Sequence, residues 1–138
     1  MTRTADFVDS NVLLYLLSKD DAKADRAEAL LQRKPVISVQ VLNEVTNVCR
    51  RKLGMDWQEI ERFLELARSF CKIVPLTVEV HDRARDLAQR HSLSFYDACI
   101  VAAALIANCQ TLHTEDMQHG LVVENSLTLR NPFAAGMD

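Results

Sequence analysis

Only three glycines stand in this chain, Gly54, Gly120 and Gly136, and they lie far apart. A loop that cradles phosphate needs several glycines within a few residues, so nucleotide binding of that kind is excluded. The four cysteines, Cys49, Cys71, Cys99 and Cys109, include no Cys-x-x-Cys pair. Cys49, Cys99 and Cys109 fall within apolar helical patterns, which reads as buried free thiols in a reducing cytosol, not a zinc site or a disulfide framework. The most apolar stretch, Ala98 to Ala107, is short of the roughly 18 residues that a bilayer span requires. Asp6 and Asp9 interrupt the early apolar residues where a signal peptide would need an unbroken run. The expectation is a soluble, cytoplasmic protein without a membrane partner.

A basic surplus is missing too. The net charge is −3, which carries no general signature of nucleic-acid binding, although its distribution is uneven. Residues 1–72 hold 12 Lys and Arg against 11 Asp and Glu, whereas residues 73–138 hold 4 against 8 and contain no lysine. A basic ligand-facing surface would therefore come mostly from the first half.

What is present reads as one globular domain, residues 1–138. The 49% apolar and 25% charged fractions are ordinary for such a domain, and this length suffices to bury a core. No repeat, linker or low-complexity segment interrupts it. The pattern predicts a strand at Asp6 to Asp9, a short helical turn through Leu13 to Leu17, and a helix from about Ala22 to Arg33 that turns Ala24, Ala27, Leu30 and Leu31 inward. Val36 to Ser38 forms a second strand. A helix from Val39 to Lys52 follows, with Val41, Leu42, Val45, Val48 and Cys49 at helical spacing and Gly54 closing it. Asp56 and Glu59 make a capping-box start for a helix from Trp57 to Ser69. Lys72 to Pro75 is a third strand, and Thr77 caps a helix to His91. An almost wholly apolar helix runs from Tyr96 to Asn108, and Thr111 to His113 is a fourth strand. Gly120 to Val123 and Leu127 to Leu129 are candidate short edge strands. Strands alternating with helices imply an α/β fold whose mostly parallel sheet, of four or five strands, is covered on both faces by right-handed crossovers. In such sheets ligands bind beyond the carboxyl ends of the strands, at the topological switch point.

Four acids fall where this architecture would deliver them to that edge: Asp9, Glu44, Asp97 and Asp116. Asp9 ends the first strand in Phe7-Val8-Asp9-Ser10-Asn11, and Glu44 lies close to the apolar stripe of its helix. Asp97 opens the apolar helix in Ser94-Phe95-Tyr96-Asp97, and Asp116 follows the fourth strand. Each has a plain structural reading: an Asx turn or helix cap for Asp9, a solvated helix face for Glu44, a complement to the helix dipole for Asp97, a loop residue or helix cap for Asp116. If all four converge, their repulsion is best relieved by a divalent cation, and hard oxygen ligands favour Mg2+ or Mn2+. Carboxylate-held metal would support phosphodiester hydrolysis by lowering the pKa of a bound water and offsetting charge in the transition state.

The run Phe7-Val8-Asp9-Ser10-Asn11-Val12-Leu13 resembles the opening of PIN-domain ribonucleases. So do Val36 to Glu44, the Ser94-Phe95-Tyr96-Asp97-Ala98 helix start and Leu112-His113-Thr114-Glu115-Asp116-Met117, while Asn131-Pro132-Phe133 is similar to the end of VapC-like toxins. The likeness spans essentially the whole chain. It implies a three-layer α/β/α sandwich and makes Asp9, Glu44, Asp97 and Asp116 the catalytic and metal-binding set. Asn11 and Thr114 then match the polar positions that orient acids or catalytic water. The implied activity is a Mg2+- or Mn2+-dependent endoribonuclease that cuts tRNA or rRNA through a metal-activated water. The implied partners are the RNA substrate, a second copy in a homodimer, and a cognate antitoxin through which DNA is reached only indirectly. Glu115, beside Asp116, leaves the fourth ligand open between the two.

Arg50, Arg51 and Lys52, about two turns beyond Glu44, are candidates for RNA phosphates or simply cations at a helix C-terminus. Lys19, Lys23 and Arg26 are similar candidates. Trp57, Phe63 and Phe70 read as core or dimer surface, not as base-stacking platforms, and the four histidines lack metal-ligand spacing. Three other functions stand as rivals. A phosphoaspartyl phosphatase with Asp9 as nucleophile usually has an Asp two residues on and a downstream lysine, yet position 11 is Asn and no lysine follows Lys72. The same missing lysine counts against a phosphoacceptor switch. The third rival is a catalytically silent PIN-like interaction module, which intact acids disfavour.

Overall fold

The computed structural model describes residues 6–134. Gly136 and the segment before Asp6 lie outside the described residues. The elements are β1 (Asp6–Val8), α1 (Ser10–Leu14) extended by a 3-10 turn (Tyr15–Leu17), α2 (Asp21–Gln32), β2 (Val36–Ser38), α3 (Val39–Arg51), α4 (Trp57–Phe70), β3 (Lys72–Val74), α5 (Val78–His91), α6 (Phe95–Ile106), β4 (Thr111–His113), β5 (Val122–Val123) and β6 (Leu127–Arg130).

Local chemistry accounts for most of these boundaries. Ser38 ends β2 and caps α3 at once, its Oγ accepting from the Val41 N–H, so strand passes to helix without a loop. Asp56 and Glu59 make the expected reciprocal capping box at the start of α4. Thr77 and Ser94 cap α5 and α6 in the same way. Gly54, at φ +63°, turns the chain after α3 so that the Met55 N–H reaches the Cys49 carbonyl at 3.0 Å.

The sheet has the order β3-β2-β1-β4-β6-β5 and is parallel throughout except for the β5–β6 pair. Among the described residues six strands replace the four or five expected. Leu127–Arg130 is also not an edge: β6 lies parallel to β4 and inside β5, which alone forms that border. Sequence order misleads here because β5 and β6 are short and adjacent, yet β6 pairs back across the sheet.

The chain leaves β1 toward β2 and β3 on one side, then crosses through α5 and α6 to place β4 on the other side of β1. The switch point therefore lies between β1 and β4, whose register pairs Val8 with His113. Helix α6 packs against β2, α3 and α5, and every residue from Ala98 to Ala104 is buried. Its small side chains let it approach neighbours on several sides, which explains its lack of a polar face. Phe7, Leu13, Ile37, Leu87, Leu112 and Leu129 fill the surrounding core without exposure. The four cysteines are free, Cys71 being half-buried and the others buried. No helix among the described residues is long and apolar enough to cross a membrane.

Because α6 is enclosed, enlarging it should be costly. Ala102→Leu is expected to lower the unfolding free energy by about 1–3 kcal/mol. Urea denaturation would show this as a lower midpoint at unchanged slope, and an unmoved midpoint would contradict the close packing.

Candidate metal centre

The carboxyl ends of β1 and β4 build the site. One residue past β1, Asp9 caps α1, and its N–H bonds to the His113 carbonyl at 2.9 Å, which continues the pairing of the two strands. Its side chain is 2% exposed and takes hydrogen bonds on both oxygens. Oδ1 accepts from the Ser10 N–H at 2.7 Å, and Oδ2 accepts from Thr114 Oγ1 at 2.8 Å and from Asn11 Nδ2 at 3.5 Å. Asp9 thus meets the plain reading as a helix cap while also standing at the switch point.

The remaining acids come from three other elements. Glu44 projects from α3, where Oε1 accepts from Ser10 Oγ at 2.9 Å and Oε2 from Gln40 Nε2 at 3.2 Å. Asp97 lies in the first turn of α6, half-buried, its N–H donating to Ser94 Oγ at 3.2 Å. Asp116 follows β4, its Oδ2 accepting from Asn11 Nδ2 at 3.0 Å and its N–H donating to Thr114 Oγ1 at 3.2 Å.

Electrostatics ties the four into one neighbourhood. Burial is the main cause that pushes the Asp9 carboxyl from 3.8 up to about 7; hydrogen bonds from Thr114 and Ser10 oppose this, and the charges of Glu44 and Asp97 add to it. Asp97 is also raised, chiefly by burial and further by Asp116, against the hydrogen bond with Ser94. The four acids therefore form a chain of mutual repulsion, from Glu44 through Asp9 and Asp97 to Asp116.

Carboxylates backed by hydroxyl and amide groups form a hard-oxygen donor set that suits Mg2+ or Mn2+. The raised Asp9 is a further mark of fit, because a cation would offset the effects of burial and of its acidic neighbours. Among the described residues, no three His, Cys, Asp or Glu side chains are arranged to hold an ion unaided. Water would have to share the coordination, as is usual for Mg2+, which keeps several waters and takes one or two carboxylates.

Glu115 is turned to another task. Its Oε1 accepts from the Tyr15 hydroxyl at 2.6 Å and its Oε2 pairs with Lys23 Nζ at 3.3 Å, while its N–H donates to Asn11 Oδ1 at 3.2 Å. Lys23 is thus engaged, and Arg26 Nε donates to the Pro132 carbonyl at 3.1 Å. Arg50 stacks over the exposed Trp57 at 5.1 Å and donates to the Met55 carbonyl at 3.1 Å, while Arg51 and Lys52 stay exposed at the end of α3. Phe63 is buried, and Phe70 is partly open to solvent. Buried His113 stands 3.3 Å from Asp6 and not among the four acids.

Ser10 and Gln40 were not foreseen as partners of Glu44. Gln40 had a legible signal, since it precedes Glu44 by four residues and shares its helix face. Tyr15 had none, because its partner lies 100 residues away.

The sequence profile of the PIN domain family matches residues 7–122, and the chain belongs to this family. Its fold is shared with structures of toxin–antitoxin proteins. A toxin–antitoxin complex from Klebsiella pneumoniae contains a chain 21% identical at a TM-score of 0.71, with 94% of this chain and 98% of that one covered. VapC20 of Mycobacterium tuberculosis, described as a sarcin-ricin loop cleaving toxin, is 24% identical at a TM-score of 0.62, covering 81% and 90%. VapBC2 of Rickettsia felis, bound to a fragment of its promoter DNA, includes a chain 21% identical at 0.68, covering 91% and 97%. No curated protein sequence matches the chain.

The raised Asp9 predicts a pH dependence for the protein with divalent cations chelated. Between about pH 4 and 7 the unfolded chain has lost the Asp9 proton and the folded chain keeps it, so the folded state binds more protons. This contribution to stability should fall as pH rises through that window and level off above it. Comparing urea midpoints of wild type and Asp9→Asn at pH 5 and pH 8 isolates it: the substitution should be relatively more stabilising at pH 8. An equal difference at both pH values would place the Asp9 carboxyl in an ordinary environment.

Proposed function

We propose that this chain is the toxin of a toxin–antitoxin pair, a Mg2+- or Mn2+-dependent endoribonuclease in which Asp9, Glu44, Asp97 and Asp116 bind the metal, directly or through its coordinated waters. The observation that carries the reading is Asp9, a carboxylate buried at the switch point and raised further by Glu44 and Asp97. PIN family membership and the fold shared with toxin chains support the same reading.

When bound, the cation supplies Lewis acidity, lowering the pKa of a coordinated water and offsetting charge that develops on the phosphate. The protein's own work is orientation. Thr114 Oγ1 and the Ser10 N–H hold the two oxygens of Asp9, Ser10 Oγ and Gln40 hold those of Glu44, and Asn11 holds Asp116. A carboxylate held from both sides loses little rotational freedom on taking a ligand, which favours binding over a mobile acid.

The proposed substrate is RNA, tRNA or rRNA in particular, and the naming of VapC20 as a sarcin-ricin loop cleaving toxin supports the rRNA alternative. Arg51 and Lys52 are the exposed cations of the α3 terminus left for substrate phosphates, since Arg50 is held by Trp57 and Met55. An antitoxin partner follows from the toxin reading, with DNA reached through the antitoxin. A homodimer is supported by the apolar groove of about 300 Å³ that Leu16, Leu17, Leu31, Phe63, Leu66 and Phe70 line between α2 and α4. Leu66 is 58% exposed there, a cost that a second copy would remove. Free thiols and the absence of a membrane-length apolar helix among the described residues accord with a cytoplasmic setting.

Asp9→Asn and Asp97→Asn are expected to fold and to lose at least about 100-fold in RNA cleavage with Mg2+ or Mn2+, the scale of removing a major electrostatic contributor. Purified protein and defined RNA give the rate. Sequencing of RNA ends after brief expression of wild type and Asp97→Asn gives the cut sites. Undiminished metal-dependent cleavage by either variant would defeat the assignment.

A further inference from the structure

Glu115 stands beside a proposed metal ligand yet faces away from the acids. Three contacts join its side chain to those of Tyr15 and Lys23. Tyr15 donates to Glu115 Oε1 at 2.6 Å, Lys23 Nζ donates to the Tyr15 hydroxyl at 3.0 Å, and the same Nζ pairs with Glu115 Oε2 at 3.3 Å. A closed triangle of this kind leaves the Glu115 carboxylate little freedom.

The Asn131-Pro132-Phe133 segment backs the triangle from behind. The Phe133 ring lies 4.5 Å from the Tyr15 ring and 5.8 Å from Lys23 Nζ, between centroids and to centroid respectively. The Phe133 N–H donates to Asn131 Oδ1 at 2.9 Å, which folds the segment into a tight turn, and Pro132 accepts from Arg26 one helical turn beyond Lys23. Asn131, Pro132 and Phe133 therefore hold α2 and the 3-10 turn together at the point where Lys23 and Tyr15 meet.

The backbone of Glu115 passes this restraint to the acids. Its N–H donates to Asn11 Oδ1 at 3.2 Å, while Asn11 Nδ2 donates to Asp116 Oδ2 at 3.0 Å. Only one orientation of the Asn11 amide satisfies both, because an N–H requires the carbonyl and a carboxylate requires the NH2. The Glu115 N–H holds the Asn11 carbonyl while Asp116 and Asp9 accept from its NH2; were that N–H to drift, the amide would be held from one side only and its aim at Asp116 would loosen.

We propose that Lys23, Tyr15 and Glu115 are positioning residues: they clamp the segment after β4 so that Asn11 presents its NH2 to Asp116 and aims that carboxylate into the metal centre. The inference rests on the reading of Asp116 as a metal ligand. It separates two adjacent acids by task, Glu115 holding the segment and Asp116 serving the site. It also gives the Asn131-Pro132-Phe133 segment a role in the site without contact to it. A partly exposed ion pair contributes little to stability, so a plain surface contact and a positioning clamp differ sharply in what they predict.

The test uses the full chain with Lys23→Met, Lys23→Arg, Asp116→Asn and the double variant Lys23→Met with Asp116→Asn. Two readouts are needed: Mn2+ affinity, from the free-ion signal in electron paramagnetic resonance, and the Asn11 side-chain amide resonances of the metal-free protein. Lys23→Met is expected to keep the urea midpoint near that of wild type, shift the Asn11 amide signals toward those of a free amide, and weaken Mn2+ binding about 10-fold, the lower end for partners that orient a ligand. Lys23→Arg should retain both properties in large part. The double variant should bind Mn2+ no more weakly than Asp116→Asn alone, because the clamp acts through that residue. Unmoved Asn11 signals in Lys23→Met overturn the proposal. So does Mn2+ affinity within twofold of wild type in that variant when Asp116→Asn weakens it. If Asp116→Asn itself leaves Mn2+ affinity unchanged, Asp116 is not a ligand and that part of the functional reading falls; the Asn11 signals then decide the clamp by themselves.

Discussion

A carboxylate withdrawn from water loses hydration that must be replaced by hydrogen bonds or by opposite charge, and the loss is several kcal/mol even after relaxation. Asp9 is such a group. It is almost wholly buried, and both oxygens receive donors from Ser10, Asn11 and Thr114. Those donors are not enough to restore its ordinary acidity, and the neighbouring Glu44 and Asp97 make matters worse. The site thus carries an electrostatic deficit that its fold does not cancel. A proton relieves it in the metal-free protein below about pH 7, and a divalent cation is the species proposed to relieve it in the enzyme.

Much of the local architecture serves to keep that deficit in place. The 2.9 Å bond from the Asp9 N–H to the His113 carbonyl extends the β1–β4 pairing by one step, so the acid cannot swing away from the switch point. Thr114, one residue past β4, supplies the hydroxyl that meets Asp9 and also accepts from the Asp116 N–H. Ser10 serves two acids, its N–H for Asp9 and its hydroxyl for Glu44. Short polar side chains at the ends of two central strands therefore connect acids that come from distant parts of the chain. The buried helix α6 adds Asp97 on a rigid support, which keeps the repulsion between carboxylates from being relaxed by movement.

The elements most legible in the sequence were those with strong local signals. The capping box at Asp56 and Glu59, the stop at Gly54 and the apolar run of α6 each have a cause within a few residues, and each stands where expected. The six-stranded sheet was less legible. β5 and β6 are too short to display alternation, and the place of β6 beside β4 is set by pairing across many residues, not by its own composition. Asn11 and Thr114 were named through the family resemblance, and each hydrogen-bonds to one of the acids. Gln40 was readable in principle from its spacing to Glu44, whereas Tyr15 and the task of Glu115 were not.

From the sequence alone come the residue types and their order: three acids at strand ends or a helix start and a fourth within a helix, too few glycines for a phosphate loop, and no lysine after Lys72 to serve rival chemistries. These follow from short-range rules, because caps, turns and strand ends are governed by neighbours in the chain. What only the tertiary structure decided is which partners each acid meets. That Asp116 faces Asn11 while Glu115 faces Lys23 and Tyr15 depends on contacts between residues roughly a hundred positions apart. That the charges of Glu44 and Asp97 reach the buried Asp9 depends likewise on how α3 packs against α1 and α6 against α3 and β2. Coulomb interaction and desolvation act over distances in space, and one-dimensional order does not specify those distances until the chain has folded.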